Sequence, residues 1–280
     1  MKRITFVLAC LLLSLSTFAQ RTAIVLAHRG GGTAEQQDEN VLAAFQHSYE
    51  AGYHSFETDV RMTADGVFVI AHDSSLVRTC GIKKTVERCT AEELRSIKTK
   101  KGNPLLFLDD LLEFFKDKPG LYVEFEMKTD DKIKSTGEIL YEGDRLKMYC
   151  EKLYKQCKAK MPADADWSLT SFDARALKIL HEMYPEAVLG LITSEGCTEE
   201  TVKYCKELGV KRVAAFLDKT SRKGVKTAHF NHINVNLWPG SKYSDALLAL
   251  YLGADYICTD LPIGIMEFMK KNPQSRKIRY

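Results

Sequence analysis

Residues 55–73 read SFETDVRMTADGVFVIAHD, and the fold turns on how this stretch is parsed. Ser55–Asp59 is a β-rich run. Val67–Ala71 is a second one, after an interval holding the turn signal Ala64-Asp65-Gly66. A parallel crossover needs about a dozen residues or more, so the second run has to return antiparallel, as a hairpin on the first. Its last residues, Ala71-His72-Asp73, then stay near the end of the first strand.

On either side, short β-rich runs alternate with longer amphipathic stretches. Strands are expected at Ala23–Ala27, Leu121–Glu126, Trp167–Thr170, Val188–Ile192, Arg212–Phe216, Ile233–Asn236 and Tyr256–Thr259. Helical periodicity covers Asn40–Ala51, Ala91–Ile97, Leu106–Phe115, Asp144–Lys158, Ala174–Tyr184, Glu199–Leu208 and Asp245–Leu252. With Ser55–Asp59 the strands number eight, apolar and β-branched. An α/β fold follows: a (β/α)8 TIM barrel with an antiparallel hairpin after strand 2. The alternative is a doubly wound open sheet, but no G-x-G-x-x-G opens a helix. Thr129–Asp144 reads as a loop insertion.

The chain has 280 residues, 45% hydrophobic and 28% charged, with 17 Gly and 7 Pro, which excludes disordered, collagen-like and coiled-coil classes. Its formal net charge is +3, and two of the basic residues, Lys2 and Arg3, open a leader. No basic patch suggests nucleic acid. Lys2 and Arg3 precede the apolar run Phe6 to Leu15, and Thr17-Phe18-Ala19 offers a cleavage site before Gln20. That run falls short of the ~20 residues that span a bilayer. The expected organisation is a signal peptide over 1–19 and one catalytic barrel domain over 20–280. The product is an exported protein, periplasmic or secreted, with no stable membrane anchor. Seven cysteines follow the leader: Cys80, Cys89, Cys150, Cys157, Cys197, Cys205 and Cys258. None has zinc-site spacing; short bridges (Cys80 to Cys89, Cys197 to Cys205) and buried free thiols both remain open.

In such a barrel the working groups sit at the carboxyl ends of the strands. Here those ends carry His28-Arg29-Gly30, Glu57-Thr58-Asp59, His72-Asp73, Glu126-Met127-Lys128 and Thr259-Asp260. Glu57 and Asp59 are two apart, hence on one face of a strand. Facing carboxylates repel unless a cation lies between them or one takes a proton. Glu126 adds a third oxygen ligand, and an all-carboxylate set suits one hard divalent cation, Mg²⁺ or Ca²⁺. The competing reading pairs these acids with Arg29 and Lys128. Those two cations suit an anionic phosphoryl group, and His28 and His72 suit acid and base roles. His47, His54, His181, His229 and His232 are read as structural.

Taken in order, these motifs resemble the glycerophosphodiester phosphodiesterase family. The series continues through Glu39-Asn40, Thr63-Ala64-Asp65-Gly66, Thr90-Ala91-Glu92-Glu93-Leu94, Ser171-Phe172-Asp173 and Gly253 to Pro262. The resemblance implies a TIM barrel that hydrolyses glycerophosphodiesters to sn-glycerol 3-phosphate and an alcohol with a divalent cation. It implies Glu57, Asp59 and Glu126 as metal ligands, and His28 and His72 as acid and base. Arg29 and Lys128 would hold the phosphate, and Glu39 would support the metal or the arginine. The chain departs from the family pattern in three places. Asp38-Glu39-Asn40 lacks the usual preceding proline, Ile233-Asn234-Val235-Asn236 replaces the usual aromatic with Trp238 beyond, and Thr129–Asp144 is inserted. Two other activities fit the same features: a lysophospholipase D or sphingomyelinase-D-like enzyme, and a non-catalytic exported phosphoester-binding protein.

Overall fold

The computed structural model describes residues 23–31, 38–130, 132, 137–271 and 278–279. The expected leader and cleavage site lie outside the described residues. Eight parallel strands close into a barrel: β1 (Ala23–Ala27), β2 (Ser55–Met62), β5 (Tyr122–Met127), β6 (Asp166–Ser171), β7 (Leu189–Thr193), β8 (Arg212–Phe216), β9 (Asn234–Gly240) and β10 (Tyr256–Thr259). Closure is made by Ala27 of β1 opposite Phe56 of β2. β3 (Phe68–Ile70) returns antiparallel along the outer end of β2, as expected from the short interval, and β4 (Leu106–Phe107) adds antiparallel to β3. A short β11 (Ile278–Arg279) runs parallel to β1 outside the barrel.

The outer layer is helical: α1 (Leu42–Glu50), α2 (Val77–Cys80), α3 (Ala91–Arg95), α4 (Leu108–Phe115), α5 (Gly143–Lys160), α6 (Ala174–Met183), α7 (Glu199–Glu207), α8 (Arg222–Phe230), α9 (Tyr243–Leu252) and α10 (Pro262–Lys271). α5 shows why these segments coil as they do. Leu146, Tyr149, Cys150, Leu153, Tyr154 and Cys157 repeat at helical spacing and all are buried against the sheet. The expected helix from Leu106 starts two residues later, because Leu106 and Phe107 complete the hairpin edge opposite Ile70 and Val69. The seventh strand runs beyond Asn236 through Trp238. Sequence periodicity misses α8, whose buried face is only Gly224, Val225 and Ala228. It also misses α10, which opens on a proline, a residue well suited to a first helical position.

Alternation along β2 and β5 sorts the chemistry. Phe56, Val60, Val123, Phe125 and Met127 face outward into the apolar layer under the helices. Glu57, Glu124 and Glu126 line the interior cavity. The amino-terminal end of the barrel is plugged. Tyr122 and Tyr256, the first residues of β5 and β10, stack at 4.6 Å. The Arg212 guanidinium lies 4.8 Å from the Tyr122 ring centre. It donates to the Tyr122 hydroxyl at 2.8 Å and pairs with Asp166 at 2.9 Å. Among the described residues the interior therefore opens at the carboxyl ends. Among the described residues all seven cysteines are free, six of them buried.

The segment leading into α7 approaches α8 closely at Gly224, where an added Cβ would stand 1.8 Å from the Cys197 carbonyl oxygen. Backbone on both sides leaves nothing to rotate away. Gly224→Ala is expected to destabilise the protein by about 2–3 kcal/mol, read as a lowered urea midpoint at unchanged slope.

Candidate active site

The site begins where β1 ends. Arg29 and Asn40 both hold left-handed backbone, with φ of 52° and 56°. The Asn40 N–H donates to the Arg29 carbonyl at 2.9 Å, which ties the two turns together. Non-glycine residues persist in this region only when their surroundings over-determine them. The turn aims the Arg29 backbone N–H at Glu57 Oε2, 3.0 Å away. It also lets the Asn40 amide donate to Asp59 Oδ2 at 2.7 Å while accepting from the Thr58 hydroxyl at 3.1 Å.

Glu57, Asp59 and Glu126 each offer a carboxylate oxygen, and these atoms lie within 4.8 Å of one another. All three residues are buried. The ion pairs foreseen by the competing reading also exist. Lys128 Nζ sits 2.6 Å from Glu126 and 3.6 Å from Asp59, and Arg29 Nε lies 3.4 Å from Asp59. They do not use up the acids. Glu57 Oε1 and Asp59 Oδ1 are buried without a hydrogen-bond partner.

The electrostatics follow from that crowding. Burial, then repulsion from Asp59 and Glu126, pushes the Glu57 carboxyl well above its ordinary range. Burial likewise pushes Glu126 up to about 7, with Lys128 opposing and Asp59 adding to the rise. Asp59 goes the other way: burial would raise it, but Lys128, His72, Arg29 and His28 hold it well below the usual carboxylate value. Two orphaned buried oxygens and two raised carboxyls fit a divalent cation held by Glu57, Asp59 and Glu126. A second grouping of His28, Glu57 and Cys258 also comes within 4.8 Å. There the third donor is a thiol, a soft ligand ill matched to a hard cation, and burial pushes it well above its ordinary value.

Each histidine is backed by its own aspartate. His28 Nδ1 meets Asp260 Oδ1 at 2.6 Å, and His72 Nδ1 meets Asp73 Oδ1 at 2.7 Å. With Nδ1 donating to its aspartate, each ring presents Nε2 to the cavity that both residues line, bare in the neutral ring and protonated in the charged one. Burial pushes His72 below its ordinary value, opposed by Asp59 and reinforced by Lys128 and Arg29. Glu39 contacts cations: it accepts from Arg29 at 3.2 Å and from Arg78 at 2.8 Å and 2.5 Å. Among the weaker histidines, His47 lies inside α1 and His229 pairs with Asp255 at 2.7 Å, away from the mouth.

Sequence reasoning gave no role to Asn40, Asp73, Arg78, Glu124 or Arg61. Arg61 is fully buried, donates through Nε to the His72 carbonyl at 3.0 Å and pairs with Glu87 at 2.8 Å. Its signal was available: a charge at a strand position that alternation places beside Glu57 and Asp59. Arg61→Met strands a buried Glu87 carboxylate. It should cost about 3–5 kcal/mol of unfolding free energy, much of it recovered in the Arg61→Met/Glu87→Leu double variant, both read by urea titration.

The family model of the glycerophosphoryl diester phosphodiesterase family matches residues 28–263. A glycerophosphodiester phosphodiesterase from Caldanaerobacter subterraneus subsp. tengcongensis is 26% identical over 255 residues, covering 89% of this chain and 98% of that protein. Human lysophospholipase D GDPD1 is 23% identical over 279 residues, covering 87% of this chain and 85% of its own length. In three dimensions the chain resembles an Oleispira antarctica phosphodiesterase solved with the product sn-glycerol-3-phosphate. The TM-score is 0.75 at 19% identity, over 89% of this chain and 97% of the other. The match starts at the first residue of the barrel mouth and ends past the last barrel strand. The chain belongs to the glycerophosphoryl diester phosphodiesterase family.

Proposed function

We infer that this chain hydrolyses glycerophosphodiesters to sn-glycerol 3-phosphate and an alcohol at the mouth built around Glu57, Asp59 and Glu126. The observation that carries the reading is one cavity lined by Glu57, Glu126, Arg29, Lys128 and the two aspartate-backed histidines, with Asp59 buried behind it in the same carboxylate cluster. A divalent cation, Mg²⁺ or Ca²⁺, held by the three carboxylates would supply positive charge against the phosphoryl oxygens. Arg29 and Lys128, at the same mouth, hold the phosphodiester and neutralise charge that grows as it is attacked. His72, whose charged form burial disfavours, takes the proton from the nucleophile, either water directly or the neighbouring glycerol hydroxyl, whose cyclic phosphate a water then opens. His28 delivers a proton to the departing alkoxide, its ring oriented by Asp260. Asp73 and Asp260 each fix a ring so that Nε2 is the working atom.

The acid and base assignments separate by leaving group. A p-nitrophenolate departs without a proton, so His28→Ala should lose about 10²–10⁴-fold on an alkyl diester and far less on a p-nitrophenyl diester. His72→Ala should lose on both. Equal losses across the two substrates for His28→Ala would overturn its assignment. Chelation should abolish release of glycerol 3-phosphate in a coupled assay, and added Mg²⁺ or Ca²⁺ should restore it.

The proposal extends to location. The charged start, the apolar run Phe6 to Leu15 and the small residues before Gln20 support export, periplasmic or secreted, after loss of residues 1–19. Amino-terminal sequencing of the protein from its native host should begin at Gln20.

A further inference from the structure

We propose that His28, Glu57 and Cys258 form a second metal site, one for a thiophilic divalent ion such as Zn²⁺, and that an ion held there silences the enzyme by occupying its acid histidine. The site stands on geometry alone; its inhibitory effect rests on the activity inferred above. Strand register builds it. Ala27 at the end of β1 lies beside Thr259 of β10 on one side and Phe56 of β2 on the other. The next residue, His28, therefore falls between Asp260 and Glu57. Cys258 stands two residues before Asp260, on the face of β10 that lines the cavity. One ligand atom from each of His28, Glu57 and Cys258 lies within 4.8 Å of the other two. His28 Nε2 is 3.7 Å from Glu57 Oε2. Donors about 2.0–2.3 Å from a tetrahedral zinc stand roughly 3.3–3.8 Å apart, so closing the set asks for about an ångström of side-chain movement.

The donor set selects the ion. Sulfur and imidazole nitrogen favour zinc, cadmium and cobalt over magnesium and calcium, for which the all-oxygen trio is the better match. The histidine is already prepared as ligating histidines are: Nδ1 donates to the Asp260 carboxylate at 2.6 Å, which orients the ring and leaves Nε2 to bind. Cys258 is free and 6% exposed, in the cavity wall. On binding, its thiol proton passes to solvent and the sulfur ligates as thiolate. With Glu57 ionised, two negative ligands then balance the double charge of the ion, and the fourth position is left to water from the cavity. The same Nε2 has to carry the proton for the departing alkoxide. A metal ion there takes the place of that proton and blocks the acid step, while Arg29, Lys128 and His72 stay where they are. No zinc spacing marks the site in the sequence because its ligands come from three neighbouring strands.

Titration of the Mg²⁺-loaded protein with Co²⁺ tests the site without reference to activity. Thiolate ligation should give a near-ultraviolet sulfur-to-cobalt charge-transfer band, which the oxygen-only trio cannot produce and which added Zn²⁺ should remove. Cys258→Val should lose the band. Cys80→Ser, which removes the one half-buried thiol among the described residues, should keep it. No band in the wild type, a band that survives in Cys258→Val, or one lost in Cys80→Ser overturns the proposal. Circular dichroism checks the fold, and Cys258→Ala takes the place of Cys258→Val if that variant does not fold. In turnover with Mg²⁺ present, Zn²⁺ should stop release of glycerol 3-phosphate by the wild type. Cys258→Val, measured against its own zinc-free rate, should need at least about a hundredfold more Zn²⁺, since losing a ligand costs more than the ten- to hundredfold typical of an outer partner. Equal zinc sensitivity puts the inhibition at the carboxylate trio and overturns the proposal, as does a cobalt band in a wild type whose turnover zinc does not slow. A band with the expected pattern across the variants, in a protein that cleaves no glycerophosphodiester with Mg²⁺ or Ca²⁺, refutes the inferred activity and leaves the ion site standing.

Discussion

Three carboxylates buried within a few ångströms of one another are the constraint to which the rest of this barrel mouth answers. Left alone they would protonate or expel one another. Each surrounding feature is a partial answer. Lys128 lies against Glu126 and Asp59, Arg29 bridges Asp59 and Glu39, and Asn40 donates to the oxygen of Asp59 that Lys128 leaves free. Even the strained backbone at Arg29 and Asn40 is part of it, since that turn is what delivers an N–H to Glu57. The partial answers stop short of neutralising the trio, and that shortfall is what makes the site a receptor for a cation and a phosphodiester rather than a salt-bridged core.

The two histidines show how one local solution can be reached from different supports. His28 is held by a residue more than two hundred positions away, at the end of the last barrel strand. His72 is held by its own neighbour, and its backbone by Arg61 from the adjacent strand. Asp73 is shared with Arg78, which also grips Glu39, so the hairpin and the first loop are fastened to each other across the mouth. Burial of the Arg61–Glu87 pair behind the hairpin gives that fastening a rigid backing.

Much of this was legible in the amino-acid sequence, and for identifiable reasons. The spacing of Glu57 and Asp59 carries their shared face, because strand periodicity is a covalent fact. The interval between Asp59 and Val67 was too short for any connection but a hairpin. His28, Arg29, Glu126 and Lys128 were found because strand ends in a parallel barrel converge. What escaped reading depends on partners distant in the chain. Nothing local marks Asn40 as the donor to Asp59 or Asn236 as the partner of Glu124. The helix Arg222–Phe230 was missed for a related reason. It buries so narrow a stripe that its periodicity is swamped by polar residues, and its place is set by the approach of Gly224 to Cys197.

The stacked tyrosines under Arg212 have a kinetic meaning as well as a packing one. A barrel stoppered at its base is a blind well, with traffic in both directions through a single opening. Whatever enters first must lie deepest, and whatever lies deepest must depart last. For a diester split inside such a well, the fragment nearer the rim has the shorter way out.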